Sequence, residues 1–416
     1  MRLNLAYKRA FLIGILVIAV VISVGIILPI ILMEEPYFIT IKSNEDLKFW
    51  SSSGNGTENN PYIIEGHHII VPRNDYEKEY DTPCIPEESV ISICGVSKNF
   101  IIQNNFIEVK GGCEGQYIIR ISDISVPFTI RNNEFRGGSY AHAFSLSNIN
   151  GQGSVISNNR INEASTHINN VHNVSFIDNQ YTTRGNAYGV YVYQSSNIYF
   201  IQNYCFLYRV TFRECSSILI DNNILENNNV YSGWTLLDIR ETDYCNITDN
   251  VFIRGGLKLR NFDAYYPSLI VTSNIVNGKP YGFFYNQSNI IIDGSTKYGQ
   301  IMLVKCYNSI ITDQVITETS TALIIKDCTE TTVADSIFSH CGWTGINIEF
   351  STKISIFDCF FEDNYGGVLG EGSHFFIIKR NLFRTLMCGI YLEASTSLTE
   401  EDNVFEEVDR EITIWN

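Results

Sequence analysis

Between residues 100 and 181 one phrase is written four times: FIIQNNFI (100–107), FTIRNNEF (128–135), SVISNNRI (154–161) and SFIDNQY (175–181). Each copy is an alternating apolar strand, a polar pair rich in Asn or Asp, one residue, and an apolar anchor. The phrase continues as YFIQNYCF (199–206), LIDNNIL (219–225), NITDNVF (246–252), LIVTSNIV (269–276), SIITDQVI (309–316), TVADSIF (332–338), SIFDCFF (355–361), FIIKRNLF (376–383) and LTEEDNVF (398–405). The second member of each polar pair forms a landmark column: Asn105, Asn133, Asn159, Asn179, Asn203, Asn223, Asn250, Asn274, Gln314, Ser336, Cys359, Asn381 and Asn403. With a weaker member near Ser295 the landmarks recur on average about every 23 residues, a period that means stacked units.

A second strand precedes many landmarks, as in GVYVYQS from Gly189, GINIEFS from Gly345 and GIYLEAS from Gly389. Two or three short strands per repeat, without helical periodicity, predict one coil of an all-β parallel solenoid. Alternation places Ile346 and Ile348 inside, and Asn347 and Glu349 outside. The Asn column reads as a structural ladder, its amides bonding along the stack and holding left-handed turns. About fourteen coils at roughly 4.8 Å each predict a rod of roughly 65 Å.

Composition agrees with a packed chain. Of 416 residues 45% are hydrophobic and 18% charged, which excludes disorder. From residue 34 on, 45 acidic residues stand against 26 basic ones, so a nucleic-acid partner is not expected. Residues 11–33 carry no charge and are long enough to span a bilayer. Basic residues precede them and Glu34 and Glu35 follow, so the positive-inside rule places residues 1–10 in the cytoplasm and the solenoid outside. A cleaved signal peptide is the competing reading. The continuing run IILPIILM favours an anchor, because cleavage would leave a greasy N-terminus. Residues 34–70 read as an N-terminal cap, with Ser43 and Asn44 capping a short helix through Trp50. Residues 71–93 read as a polar insertion and lead-in, and 94–416 as the repeats.

The opening ITIKSNEDLKFWSSSGNGTENNPYIIEGHHI, the Asn-rich turns and the Gly-initiated strands resemble right-handed parallel β-helix proteins of the NosD-like, carbohydrate-binding and sugar-hydrolase group, archaeal surface members in particular. The resemblance spans residue 37 to the C-terminus. It implies right-handed coiling and carbohydrate as a ligand class.

Eleven cysteines include Cys84, Cys94 and Cys113, the set in which a disulfide is expected; the others read as small buried residues. No C-x-x-C pair occurs, and neither a metal nor a cofactor is expected. Sequons at Asn55, Asn173, Asn246 and Asn286 are candidate glycan acceptors. Counting back ten and twelve residues from the landmarks predicts one flat outward face. It carries Tyr191, Tyr193, Arg213, Asp238, Arg240, Lys258 and Arg260, a cationic and aromatic cluster suited to an anionic or saccharide ligand. Trp234 and Trp343, with Tyr365 and Met387, sit sixteen before their landmarks and would edge a groove. Glu349, Glu371 and Glu393 recur every 22 residues and are the candidates for glycosidase chemistry. The set lacks the paired Asp and Gly-His-Gly of pectin-type hydrolases. The expectation is a single-pass surface protein that binds carbohydrate or an anionic surface ligand. A polysaccharide hydrolase or lyase, or an inert envelope spacer, are the alternatives.

Overall fold

The computed structural model describes residues 38–71, 89–110, 116–138, 141–183, 189–207, 209–227, 235–260 and 264–415. The predicted membrane segment, Trp234, Cys84, Cys113 and most of the polar insertion lie outside these residues. No described helix is long and apolar enough to cross a membrane.

The chain winds as a right-handed-type parallel β-solenoid of about 13 turns. One coil shows the construction. Val190–Tyr193, Ser196–Ile201 and Tyr204–Leu207 lie on three successive faces, and each pairs in parallel with the equivalent strand one coil later. Alternation buries Val190, Val192, Ile198, Phe200, Cys205 and Leu207 in the shared core. Between the second and third faces the chain turns through one left-handed residue, such as Asn104 (φ 55°), Asp178 (φ 53°) or Asn222 (φ 56°). Asn and Asp tolerate that conformation better than other side chains.

The next residue is the landmark, and its side chain points inward. Asn203 Oδ1 accepts from the backbone N–H (3.0 Å) and the Nδ2 (3.1 Å) of Asn179, while Asn203 Nδ2 donates to the Phe176 carbonyl (2.9 Å) and to Asn223 Oδ1 (3.1 Å). Amide-to-amide bonds of 2.9–3.1 Å link Asn105, Asn133, Asn159, Asn179, Asn203, Asn223, Asn250 and Asn274 without a break, and Asn381 to Asn403 further on. The ladder position is buried although the left-handed residue before it is exposed, and the ladder satisfies the backbone polar groups enclosed there.

A second ladder holds the corner between the first and second faces with smaller side chains. Ser195, Cys215 and Thr242, then Cys328, Ser351, Ser373 and Ser395, each donate to the carbonyl two residues back. Here a thiol does the work of a hydroxyl, which accounts for several buried cysteines. All nine described cysteines are unbridged, Cys94 among them.

At the N-terminal end the helix Asn44–Trp50 closes the first coil. Ser43 Oγ accepts from the Asp46 N–H at 3.1 Å, and Leu47 is buried. Asn44 is not the cap; its amide exchanges bonds with Ser97.

The single rod expected from the sequence does not form. Ile275–Val276 pairs antiparallel with the start of Lys279–Tyr285 through the two-residue turn Asn277 (φ 50°) and Gly278 (φ 77°). Asn-Gly is the pair that such a tight hairpin prefers. The reversal ends one stack, and from Tyr281 a second begins, pairing in parallel with Gln300–Val304 and onward to Val404–Trp415. In the second stack Ile301, Leu303, Leu323 and Ile325 point into their own core. Their outward neighbours Met302, Val304 and Ile324 are equally buried, because they pack into the core of the first stack. The first face of the second stack therefore closes the open end of the first. Gln300 fastens the joint, accepting from the Leu257 N–H at 2.9 Å and donating to the Thr321 carbonyl at 2.9 Å.

Replacing Asn203 by Ala leaves two buried donors of Asn179 without an acceptor. The expected cost is about 2–4 kcal/mol, read as a lower midpoint in chemical or thermal unfolding. An exposed change such as Ile224→Thr, one strand away, is expected to shift the midpoint far less.

Candidate functional site

The two outward columns predicted from the sequence exist, but they do not share one flat face. On the first stack Tyr191, Thr211, Asp238 and Lys258 form one row, and Tyr193, Arg213, Arg240 and Arg260 the next. On the second stack the rows are Ile324, Asn347, Leu369 and Tyr391, and Lys326, Glu349, Glu371 and Glu393. The hairpin at Asn277 and Gly278 turns the second set against the end of the first, so the rows become two walls meeting at a corner. Lys258 Nζ, on the last rung of the first wall, stands 3.9 Å from Glu349 Oε1 on the second.

Asp238 is the buried centre of this corner, with its side chain wholly inaccessible. Arg240 donates to Asp238 Oδ2 from Nε (3.0 Å) and Nη2 (2.6 Å), Arg209 Nη1 lies 3.7 Å from the same oxygen, and Arg260 Nε lies 3.3 Å from Oδ1. The hydrogen bond to Asp238 pushes the Arg240 pKa up. Arg260 and Lys258 move the other way. Burial lowers both, and each is lowered further by neighbouring cations, Arg240 for Arg260 and Arg260 for Lys258. Glu349 is the second anion. Burial alone would raise its pKa, but Lys258 and Lys326, with a 2.8 Å bond from Asn347 Nδ2 and a 3.2 Å bond from Lys326 Nζ, hold it below the ordinary carboxylate range.

Among the described residues five cations, Arg209, Arg240, Lys258, Arg260 and Lys326, thus converge on two carboxylates. The corner is cationic in a protein that is acidic overall. It also holds buried polar atoms that make no hydrogen bond within the protein, Thr211 Oγ1 and Asp238 Oδ1, with His167 Nε2 two rungs further along the same row.

His167 lies twelve residues before Asn179, the same offset that located Tyr191 and Asp238, so it was findable from the sequence. Tyr117, His142, His167 and Tyr191 form a row with ring centroids 5.0, 4.4 and 5.4 Å apart, the two imidazoles meeting edge to face and the tyrosines stacking on them. Burial, with His142 beside it, depresses the His167 pKa to about 4. His142 is lowered by burial too, and its Nδ1 meets Ser165 Oγ. Arg209 was not findable. It shares the parity of Thr211 and Arg213 but falls in the turn ahead of its strand, fourteen before Asn223 and outside the two offsets counted.

The other sequence candidates sit apart from this charge cluster. Arg213 pairs with Glu214 at 3.1 Å and lies over the Tyr193 ring. Glu371 and Glu393 are exposed, unlike Glu349, so the three environments differ. Trp343 stacks on Tyr365 at 4.7 Å and 7°, which covers one face of each ring. Of the sequons, Asn55 and Asn286 are exposed and Asn246 is half-buried on a strand. Asn173 is tied into an external amide row with Asn150 and Asn197.

Fold and corner together define a parallel β-solenoid with a polar site between two stacks. Residues 256–416, which begin at the last rung of the first stack, match the family model described as "Periplasmic copper-binding protein (NosD)", so the resemblance read from the sequence holds over that segment. No curated protein matches the chain. Among solved structures, the A-module of the Azotobacter vinelandii mannuronan C-5 epimerase AlgE4 is 10% identical, with 89% of this chain and 97% of that one covered and a TM-score of 0.27. The catalytic domain of a GH87 α-1,3-glucanase in complex with nigerose is 10% identical over 92% and 68%, TM-score 0.30. A DFA-IIIase from Arthrobacter chlorophenolicus is 11% identical over 82% and 88%, TM-score 0.25.

The described residues do not fit a copper site. No three potential ligands among His, Cys, Asp and Glu come together. The turn thiols of Cys215, Cys328 and Cys359 donate to backbone carbonyls, and burial pushes Cys215 up to about 11 and Cys359 up to about 12, away from the thiolate that binds metal.

Two predictions test the electrostatics. Asp238→Asn strips three guanidinium groups of their shared carboxylate and is expected to cost about 3 kcal/mol, seen as a lower unfolding midpoint. His167 accepts a proton in the unfolded chain near its ordinary 6.5 but in the folded protein only near 4. Its contribution is therefore complete above pH 6.5 and is lost as the pH falls toward 4, by at most about 3 kcal/mol. Denaturation followed between pH 7 and 4 is expected to show a shallower decline for His167→Gln than for the parent.

Proposed function

We propose that the protein is a membrane-anchored, extracytoplasmic solenoid that binds an acidic carbohydrate, or another anionic surface ligand, in the corner between its two stacks, without chemical turnover. The observation that carries this reading is the excess of cations over carboxylates in a half-buried corner of an acidic protein. Partly desolvated like charges repel one another, and an anionic partner relieves that repulsion. The uncharged segment at residues 11–33, with basic residues before it and acidic ones after, supports an anchor with the solenoid outside.

The state of Glu349 removes it as the general acid of a hydrolase. Glycoside hydrolysis needs one carboxyl that still carries its proton, and Glu349 is held ionised between two lysines. A hydrolase or lyase, or an inert spacer that binds no glycan on the array, are the competing readings.

Arg240→Glu combined with Arg260→Glu is expected to weaken binding to an acidic-glycan array at least tenfold, and added salt is expected to weaken the parent as well. Unchanged binding by the double variant removes the corner as the site, and glycan breakdown by the parent that disappears in Glu349→Gln replaces binding with hydrolysis.

A further inference from the structure

Among the described residues the most exposed large apolar side chain is Phe49, at 79%. A lone exposed aromatic is ordinary on a protein surface, so its place in the fold decides what it means. That place is the helix Asn44–Trp50, which packs against Ile39–Ile41 and Tyr62–Glu65 and closes the first coil. At about 100° per residue Phe49 stands on the opposite side of the helix from Leu47, which is buried in the core. Its ring therefore points away from the rod, out of the end that the helix covers. Trp50 is half-buried against the core and meets the Phe49 ring edge to face, with centroids 5.4 Å apart. Phe38, just before the first strand, is exposed as well, and so are Lys42 and Lys48.

The end of the rod that carries these residues is also the end joined to the uncharged segment at residues 11–33. Only residues 34–37 separate that segment from Phe38. Five steps of at most about 3.6 Å span no more than about 18 Å. A chain anchored through residues 11–33 therefore holds the cap within about 18 Å of the hydrocarbon core, of which the headgroup layer fills roughly 5–8 Å. Tethering on this scale keeps the bilayer against the cap at all times, whereas a second copy has to reach it by diffusion. Glu45, one turn before Phe49, shares its side of the helix and limits the contact to headgroup depth. Aromatic rings and snorkelling lysines are the side chains favoured at that level.

We infer that the N-terminal cap is a membrane-contacting foot, in which Phe49 enters the boundary between headgroups and acyl chains, Trp50 lies beside it, and Lys42 and Lys48 face the lipid phosphates. This rests on the reading of residues 11–33 as an anchor. The contact stands the rod on the bilayer with the helix at its base.

Reconstitution of the full chain into phosphatidylcholine vesicles with brominated acyl chains, which quench indole emission, tests it. Segment 11–33 contains no tryptophan, so the quenching that is lost in Trp50→Phe reports the cap. The parent is expected to emit less than in unbrominated vesicles, and the quenching to fall about threefold in Trp50→Phe. Phe49→Asp is expected to reduce it likewise while leaving the unfolding midpoint in place, because the side chain it replaces is in solvent. An alkaline carbonate wash separates the foot from the anchor. Chain released by the wash overturns both. Chain that is retained, with emission unquenched or quenched equally in Trp50→Phe, overturns the foot and leaves the anchor intact; a detergent-phase dimer that Phe49→Asp dissociates then assigns the cap to a second copy.

Discussion

One contact recurs on almost every coil of the first stack, an Asn amide that turns inward at a left-handed corner and bonds the amide of the next coil. The left-handed residue of the turn is exposed, but the ladder Asn behind it is buried, and its N–H and the carbonyl it faces need partners inside. The ladder from Asn105 to Asn274 supplies the missing partners. It also fixes register, since a coil shifted by one residue would put an apolar side chain where the amide acceptor belongs. The parallel pairing of all three faces and the burial of alternate side chains follow from that register.

The ladder stops where the hairpin at Asn277 and Gly278 reverses the chain, and the cationic corner arises there. A β-solenoid that ends leaves its last core layer and its last strands uncovered. In this protein the cover is the outward face of the next stack, which carries Met302, Val304 and Ile324 where a solvated face would carry polar residues. The same closure brings charged side chains together beside the apolar seal. Lys258 meets Glu349 across 91 positions of sequence only because the two stacks are docked. The site is thus a product of the joint and belongs to neither stack alone.

The coil and its period were legible because each repeat announces itself locally. The polar pair marks the corner, and alternation assigns inside and outside by parity alone, which placed Asp238, Arg240, Lys258 and Arg260 on adjacent rungs correctly. The break in the stack was harder to see, although its turn is spelled Asn-Gly. The weak repeat near Ser295 bridged the gap in the counting and hid the reversal. Once that was missed, Glu349 and Lys326 were extrapolated along a continuous face and could not be recognised as partners of Lys258. The apolar outward residues Met302, Val304 and Ile324 were the available sign, since such a run breaks the polar pattern of a solvated row. Cys359 was legible as a member of the landmark column, whereas Cys215 and Cys328 were read only as small buried residues, although Cys328, Ser351, Ser373 and Ser395 recur at the period of the coil.

Nine strands of the first face, from Ile39–Ile41 to Leu257–Arg260, separate the helical cap from the corner. Eight steps of about 4.8 Å make that separation roughly 40 Å. Each coil is held by its neighbours through the same few bonds, so a lineage could gain or lose a whole turn near the cap and alter only the length of the stalk. The same duplication placed between residue 278 and Glu349 would carry Glu349 out of line with Lys258. Reach is therefore open to drift in this architecture, whereas the contact at the elbow tolerates no added turn between the hairpin and Glu349.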